Sequence, residues 1–103
     1  MTTDTPIVIA LLRVREYLTP PQSWCKLAAV GPAGSRCLGY TIEREIQEPI
    51  RRYVTKRVIE AVLRRGFEHI IAFNDYHTTT HEEVLSVLDE AIARERGYIK
   101  RAQ

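Results

Sequence analysis

The side chains best suited to recognising a ligand fall in two parts of the chain. Trp24 stands beside a segment rich in proline and glycine, where an aromatic ring can stack on a flat ligand. Asn74 and Asp75 offer one amide and one carboxylate, groups that can read base edges or ribose hydroxyls. The cations that could meet phosphate groups lie between these parts: Arg51, Arg52, Lys56 and Arg57.

Together these residues predict a pocket for a nucleotide-like ligand, with Trp24, Asn74, Asp75, Arg51, Arg52 and Lys56 as its binding residues. A structural interpretation stays open beside it. Trp24 would then belong to the core, and Asn74 and Asp75 would hold their own turn by side-chain hydrogen bonds. The cations would serve as the solvated face of a helix.

Metal binding has one set of candidates, Asp75, His77 and His81. Two histidines four residues apart on one helix can share a metal ion. Here capping threonines lie between them, which places His77 before the helix and removes the meaning of the spacing. We therefore expect no metal site, and a small metal-dependent hydrolase is only an alternative hypothesis.

Motifs for covalent catalysis or cofactor binding are weak. Cys25 and Cys37 stand in no recognisable nucleophile motif. The segment 31–35 contains two glycines but lacks the lysine and the strand-to-helix setting of a phosphate-binding loop. These observations favour a non-catalytic protein without a cofactor.

Composition indicates one globular domain spanning residues 1–103, since 45% of the residues are hydrophobic and 27% are charged. The longest apolar run, Ile7 to Leu12, is too short to cross a membrane. No export signal is evident, so we expect a cytoplasmic protein. The net charge of +2 is too balanced to predict direct DNA binding.

The fold is predicted to be mostly α, with about four helices and a small β-hairpin near residues 24–38. Thr5 and Pro6 suit the start of a first helix, Pro6 to Leu18, although the β-branched residues 7–9 leave a strand open. The hairpin would turn at residues 31–34.

In such a hairpin the two thiols would lie far apart. Cys37 would face about residue 28, which leaves Cys25 roughly 10 Å away along the strand. A disulfide is also not expected in a reducing cytosol. We therefore expect two buried thiols.

Proline, glycine and apolar spacing predict the remaining elements. Helices are expected over residues 38–48, 49–65 and 80–96, with Gly66 and Gly97 ending the last two. A capping box, Thr79 with Glu82 or Thr80 with Glu83, would start the final helix. Residues 67–73 fit a helix or a strand, and residues 74–77 are typical of a turn.

The predicted helix over residues 49–65 has apolar side chains on two sides. One stripe contains Val54, Val58 and Val62, and Ile59 and Leu63 form a second patch. A helix of this kind is either central in its fold or part of a contact between chains. The second patch therefore motivates two hypotheses, a homo-oligomer and a protein–protein interaction module or inhibitor, both acting through this helix.

Three clusters, taken in order, resemble a known family. They are Ser23-Trp24-Cys25, then Cys37-Leu38-Gly39, then Asn74-Asp75 before the final amphipathic helix. The chain is similar to short bacterial and phage proteins classified only as a family of unknown function. The resemblance spans roughly residues 9–94, with serine where that family often has glycine before Trp-Cys and phenylalanine where it has tryptophan before Asn-Asp.

The resemblance carries no activity with it. It implies a setting, because small proteins of this kind often travel with mobile or viral DNA. From that setting comes the leading expectation: a phage-type, anti-defence binding protein that sequesters a nucleotide-derived small molecule.

Overall fold

The computed structural model describes residues 4–102, with side chains through residue 97. Five helices follow one another: α1 (Pro6–Leu18), α2 (Leu38–Glu45), α3 (Ile50–Leu63), α4 (Ile70–Asp75) and α5 (His81–Ala102). Two short 3-10 turns, Pro21–Ser23 and Pro32–Gly34, lie between α1 and α2. The mostly α prediction is confirmed. None of the helices within residues 4–102 is long and apolar enough to span a membrane.

Helix α1 begins as predicted, because the Thr5 side chain accepts a hydrogen bond from the Val8 backbone N–H and Pro6 occupies the first turn. The alternative strand over residues 7–9 is wrong. Val8, Leu11 and Val14 are fully buried along one face, which fits a period of 3.6 residues rather than alternation.

Helices α1, α3 and α5 enclose the core, and α2 and α4 close it on one side. Each valine or leucine that is completely buried contributes about 1.5–3 kcal/mol relative to an exposed side chain. The fully buried valine and leucine side chains are Val8, Leu11, Val14, Leu18, Leu38, Val54, Val58, Val62, Val84, Val87 and Leu88.

The predicted β-hairpin near residues 24–38 is wrong, since residues 4–102 contain no strand. Two isolated backbone pairs stand in its place, a parallel one between Trp24 and Arg36 and an antiparallel one between Val30 and Arg36. The segment between them is an irregular loop in which Leu27 has a left-handed backbone, with φ of 64°. A residue in that conformation interrupts an extended strand.

Helix α2 starts at the predicted residue, with Cys37 as its N-cap, and ends at Glu45 rather than near residue 48. Pro49 follows a cis peptide bond and precedes α3. Gly66, with φ of 89°, takes the left-handed conformation just after α3 that glycine adopts without steric cost.

Residues 67–73, which by sequence fit a helix or a strand, are irregular over 67–69 and helical from residue 70. Phe67 packs edge-on against Phe73, and α4 follows from residue 70. The predicted turn over residues 74–77 is therefore partly wrong. Asn74 and Asp75 form the last turn of α4, and only the residues after them leave the helix.

Helix α5 starts with the second of the two predicted capping boxes. The Thr80 hydroxyl accepts from the Glu83 N–H, and the Glu83 carboxylate accepts from the Thr80 N–H. The prediction that Gly97 ends this helix is wrong, because α5 continues to Ala102. Residues 98–103 contain no proline, and glycine inside a helix costs only about 1 kcal/mol relative to alanine.

Candidate functional site

An open groove of about 560 Å³ lies between α2, α3 and the start of α4. Helix α3 lines it with Arg51, Thr55 and Ile59, which lie four residues apart and so share one face of the helix. The other lining residues come from α2, α4 and the segments before them: Ala29, Cys37, Gly39, Tyr40, Ile42, Glu43, His69, Ile70 and Ile71.

The inner surface of the groove is aliphatic. Ile42 and Ile70 are buried beneath it, Ile59 is half-buried, and Ile71 leaves 61% of its surface exposed. Ile71, and Ile59 in part, leave the apolar surface of the groove accessible to solvent. An apolar group of a ligand would therefore lose water on entering it, which favours binding.

Arg51 is the cation of the groove. Its Nε donates to the Ile46 carbonyl at 2.9 Å, which fixes the direction of the guanidinium group. Its terminal nitrogens donate to no described residue. Because arginine can bind a carboxylate or phosphate through two parallel hydrogen bonds, a tethered guanidinium suits an anionic ligand group.

Hydrogen-bond donors and acceptors line the groove together with this cation. His69 Nδ1 accepts a hydrogen bond from the Ala72 N–H at 3.1 Å, so the neutral ring carries its proton on Nε2 and can donate there. Tyr40 and Thr55 supply hydroxyl groups, and the exposed Glu43 supplies a carboxylate with no ion-pair partner among residues 4–97. The groove thus offers donors and acceptors around an aliphatic surface.

The four cations that the sequence predicts to meet phosphate do not line a single site. Arg51 lines the groove, whereas Arg52 and Lys56 are exposed outside it and bond to no described side chain. Arg57 pairs with Glu95 of α5 and with Glu60 of its own helix, and both carboxylates accept its hydrogen bonds. The bond to Glu95, followed by that to Glu60, raises the pKa of Arg57 above its ordinary value.

Trp24 and Asn74, far apart in the sequence, meet in the structure. Trp24 Nε1 donates to Asn74 Oδ1 at 2.7 Å, and the Leu38 backbone N–H donates to the same oxygen at 3.0 Å. Asn74 Nδ2 donates to the Cys25 carbonyl and to Asp75 Oδ1. The amide of Asn74, which is 1% exposed, therefore has all four of its hydrogen-bonding positions occupied.

Asp75 completes this cluster by holding the loop over residues 26–30. Its Oδ1 accepts from the Leu27 backbone N–H at 2.9 Å, and Lys26 Nζ donates to the Tyr76 carbonyl at 2.8 Å. These bonds fit the interpretation in which Asn74 and Asp75 have a structural role, except that they hold a distant loop as well as their own turn. Ligand binding by Trp24, Asn74 and Asp75 stays an untested prediction.

A smaller cavity of about 190 Å³ connects this cluster with the groove. Asn74 and Asp75 line it together with Leu27 and Ala28. It shares Ala29, Cys37 and Ile71 with the groove. The loop over residues 27–30 is exposed throughout, and Leu27 leaves 79% of its surface in solvent.

The three candidate metal ligands have separate environments. Asp75 accepts from the Leu27 N–H, the His77 ring packs on Tyr76 at 4.5 Å, and His81 Nε2 lies 2.6 Å from the Leu18 carbonyl. Within the part of the chain that the structure describes, no three histidine, cysteine, aspartate or glutamate side chains are grouped for a metal ion.

Sequence reasoning missed Tyr40, Thr55 and His69 as lining residues of the groove. The one available signal was the spacing of residues 51, 55 and 59, which places an arginine, a threonine and an isoleucine in line on a helix. The approach of α4 to that line depends on tertiary packing, which no local pattern encodes.

The chain belongs to a family of unknown function, DUF6197, whose model matches residues 2–94. No curated protein and no solved structure is significantly similar to it. Membership confirms the family resemblance of the sequence and brings no activity with it.

Proposed function

We propose that this member of a family of unknown function is a non-catalytic binding protein. Its groove between α2, α3 and α4 holds a small molecule with one anionic group and an apolar or flat body, and a nucleotide-derived compound is the class we favour. The observation that carries the proposal is the tethered Arg51 guanidinium above an open aliphatic surface.

The dimensions of the groove support this class of ligand. Ligand-binding cavities commonly measure about 300–1,000 Å³, and they combine mostly apolar lining with a few placed polar groups. The groove, at about 560 Å³, lies within that range. Arg51 would bind the anionic group, and Tyr40 and His69 would supply an aromatic surface and a hydrogen-bond donor for the flat part.

The biological setting in the proposal comes from the sequence resemblance alone. We place the protein in bacteria or their phages, acting in the cytoplasm against host defence by sequestering a nucleotide-derived signal. Sequestration needs affinity without turnover, and a groove of this kind provides binding groups without requiring a catalytic base or a metal.

Native mass spectrometry of the protein purified from a bacterial host tests the proposal first. A co-purifying mass of a few hundred daltons, released on denaturation, is the expected result. Calorimetric titration with nucleoside monophosphates, diphosphates and cyclic dinucleotides then gives the affinity. A clean apo mass together with no heat from any of these compounds would contradict the proposal.

Two neighbouring arginines provide matched variants for this titration. Arg51→Gln removes the cation of the groove, and we expect it to weaken binding of an anionic ligand about tenfold or more. Arg52→Gln removes an exposed cation one residue away, outside the groove, and should leave the affinity within about twofold. Equal losses in the two variants would show that charge alone drives binding and that the groove does not.

A second candidate function is a protein–protein interaction through α3. Leu63 leaves 53% of its surface exposed, and Ile59 is only half-buried, so the second apolar patch of this helix is available to a partner or to another copy. Light scattering across a concentration series distinguishes the two. Self-association that Leu63→Glu abolishes would support a homo-oligomer, and a monomer at all concentrations would leave only a foreign partner.

A further inference from the structure

The parallel backbone pair between residues 24 and 36 fixes the positions of two cysteines. The Arg36 N–H donates to the Ser23 carbonyl at 2.7 Å, and the Cys25 N–H donates to the Arg36 carbonyl at 3.2 Å. These two bonds set Trp24 opposite Arg36. Cys25 follows Trp24 and Cys37 follows Arg36 in the chain, so the two cysteines are neighbours in this register.

Backbone dimensions limit the separation of the two cysteines. One hydrogen bond and one peptide unit join the Cys25 N–H to Cys37, so their Cα atoms lie within about 7 Å of each other. Disulfides span Cα separations of about 4.4–6.8 Å. In a parallel pair, register neighbours also project to the same side. The 10 Å separation expected from a hairpin therefore does not apply.

Both cysteines form hydrogen bonds with the same short stretch of loop. Cys25 Sγ donates to the Ala28 carbonyl at 3.5 Å, and the Cys37 N–H donates to the adjoining Ala29 carbonyl at 3.1 Å. Both cysteines are free, and both are half-buried rather than buried as the sequence predicted. Cys37 also lines both cavities, from which a small oxidant can approach it.

We propose that Cys25 and Cys37 are a modification site that forms a reversible intramolecular disulfide with a low-molecular-weight disulfide as oxidant, oxidised glutathione being the probe. One deprotonated thiol attacks a sulfur of the oxidant, forms a mixed disulfide and releases one glutathione thiolate. The second thiol, on losing its proton, displaces the other glutathione and closes the protein disulfide. The protein loses two hydrogens and two electrons, and the oxidant becomes two glutathione thiols.

This site has a direct structural link to the groove. Cys37 lines the groove, and its Sγ accepts the Tyr40 N–H at 3.3 Å as the N-cap of α2. Closing the disulfide redirects this sulfur toward Cys25 and ties the loop over residues 26–30 to the start of α2. The thiol pair would respond to oxidation whether or not the groove binds a nucleotide-derived ligand.

Intact mass measurement after incubation with mixtures of reduced and oxidised glutathione tests the proposal. The wild-type chain should lose about 2 Da and carry no glutathione adduct, because the second thiol resolves the mixed disulfide. Cys25→Ser and Cys37→Ser should each accumulate one glutathione adduct instead. Wild-type protein that keeps stable adducts, or that cross-links between chains, would overturn the proposal.

The denatured chain is the matched control for position. In denaturant, ring closure depends only on the flexible segment between the cysteines, whereas in the folded protein it depends on their fixed positions. We expect the equilibrium constant for closing the disulfide to be about tenfold or more larger in the folded protein. A constant equal to or smaller than that of the denatured chain would show that the fold holds the thiols apart, and the proposal would fail.

Discussion

Replacing Asn74 with alanine tests how the loop beside the groove is anchored. The change removes four hydrogen bonds, to Trp24 Nε1, the Leu38 N–H, the Cys25 carbonyl and Asp75. The buried Leu38 N–H would be left without a partner at a cost of about 1–3 kcal/mol, and the bond from Trp24 adds about 1 kcal/mol. We expect the free energy of unfolding to fall by about 3 kcal/mol.

Urea unfolding, followed by far-ultraviolet circular dichroism, measures this loss. The control is Gln47→Ala, which removes an exposed side chain with no hydrogen bond to any described residue and should change the free energy by less than about 0.5 kcal/mol. Trp24→Phe keeps an aromatic ring and removes its N–H donor. Combining it with Asn74→Ala in a double-mutant cycle should give a coupling energy of about 1 kcal/mol.

Two results would refute this reasoning. If Asn74→Ala cost no more than Gln47→Ala, the amide would not anchor the loop, and water would satisfy the same groups. If the two changes at Trp24 and Asn74 were additive, the indole N–H would not depend on the Asn74 oxygen.

Three further predictions concern single positions. Thr80→Ala should lower the free energy of unfolding by about 1 kcal/mol because it removes the N-cap of α5; urea unfolding checks this, and a change as small as that of an exposed alanine substitution would contradict it. Hydrogen bonds from Arg36, and then from Arg13, hold the pKa of Glu45 below its ordinary value, so the stability that this carboxylate supplies is present at neutral pH and is lost as the pH falls through the lowered pKa. Urea unfolding between neutral and acidic pH should show that loss. Arg36→Gln should make the free energy of unfolding depend less steeply on pH, and an unchanged pH dependence would exclude Glu45 as the source of the loss. Leu27→Asn should raise the free energy of unfolding by up to about 1 kcal/mol, since asparagine tolerates the left-handed backbone and the leucine side chain is mostly exposed; Leu27→Ala, which keeps the steric cost, should not, and equal effects would argue against strain.

Helix starts and core faces could be predicted from the sequence because they depend on local chemistry. Thr5 with Pro6, and Thr80 with Glu83, satisfy backbone donors within one turn, so their spacing alone is informative. The positive φ of Gly66 was equally predictable, because few other residues adopt it without strain.

The region over residues 24–38 could not be predicted, because its conformation depends on distant groups. Asn74 and Asp75, about fifty positions away, bond to its backbone and hold Leu27 in a left-handed conformation. A turn centred on Pro32 and Gly34 was correctly placed, and Val30 and Arg36 pair antiparallel across it, but Arg36 also pairs in parallel with Trp24, which a simple hairpin does not do. Short extended segments carry too little local information to specify their partner.

The candidate site was predictable in part. Arg51 is one of the cations that the sequence predicts to meet phosphate, and it lines the groove. Arg52 and Lys56 lie outside it, because adjacent residues on a helix point about 100° apart and only one of them can face a given neighbour. Trp24 and Asn74 were grouped correctly, yet their polar atoms bond to each other and to the backbone.

Backbone amide chemical shifts of isotope-labelled protein, recorded during titration with the same panel of nucleotides, test the central claim most directly. If the groove is the binding site, the shifts will concentrate on Gly39, Thr55, Ile59 and Ile71, and Arg51→Gln will weaken them while Arg52→Gln will not. Shifts confined to the exposed face around Arg52 and Lys56 and abolished by salt, or no shifts with any compound, would contradict the account.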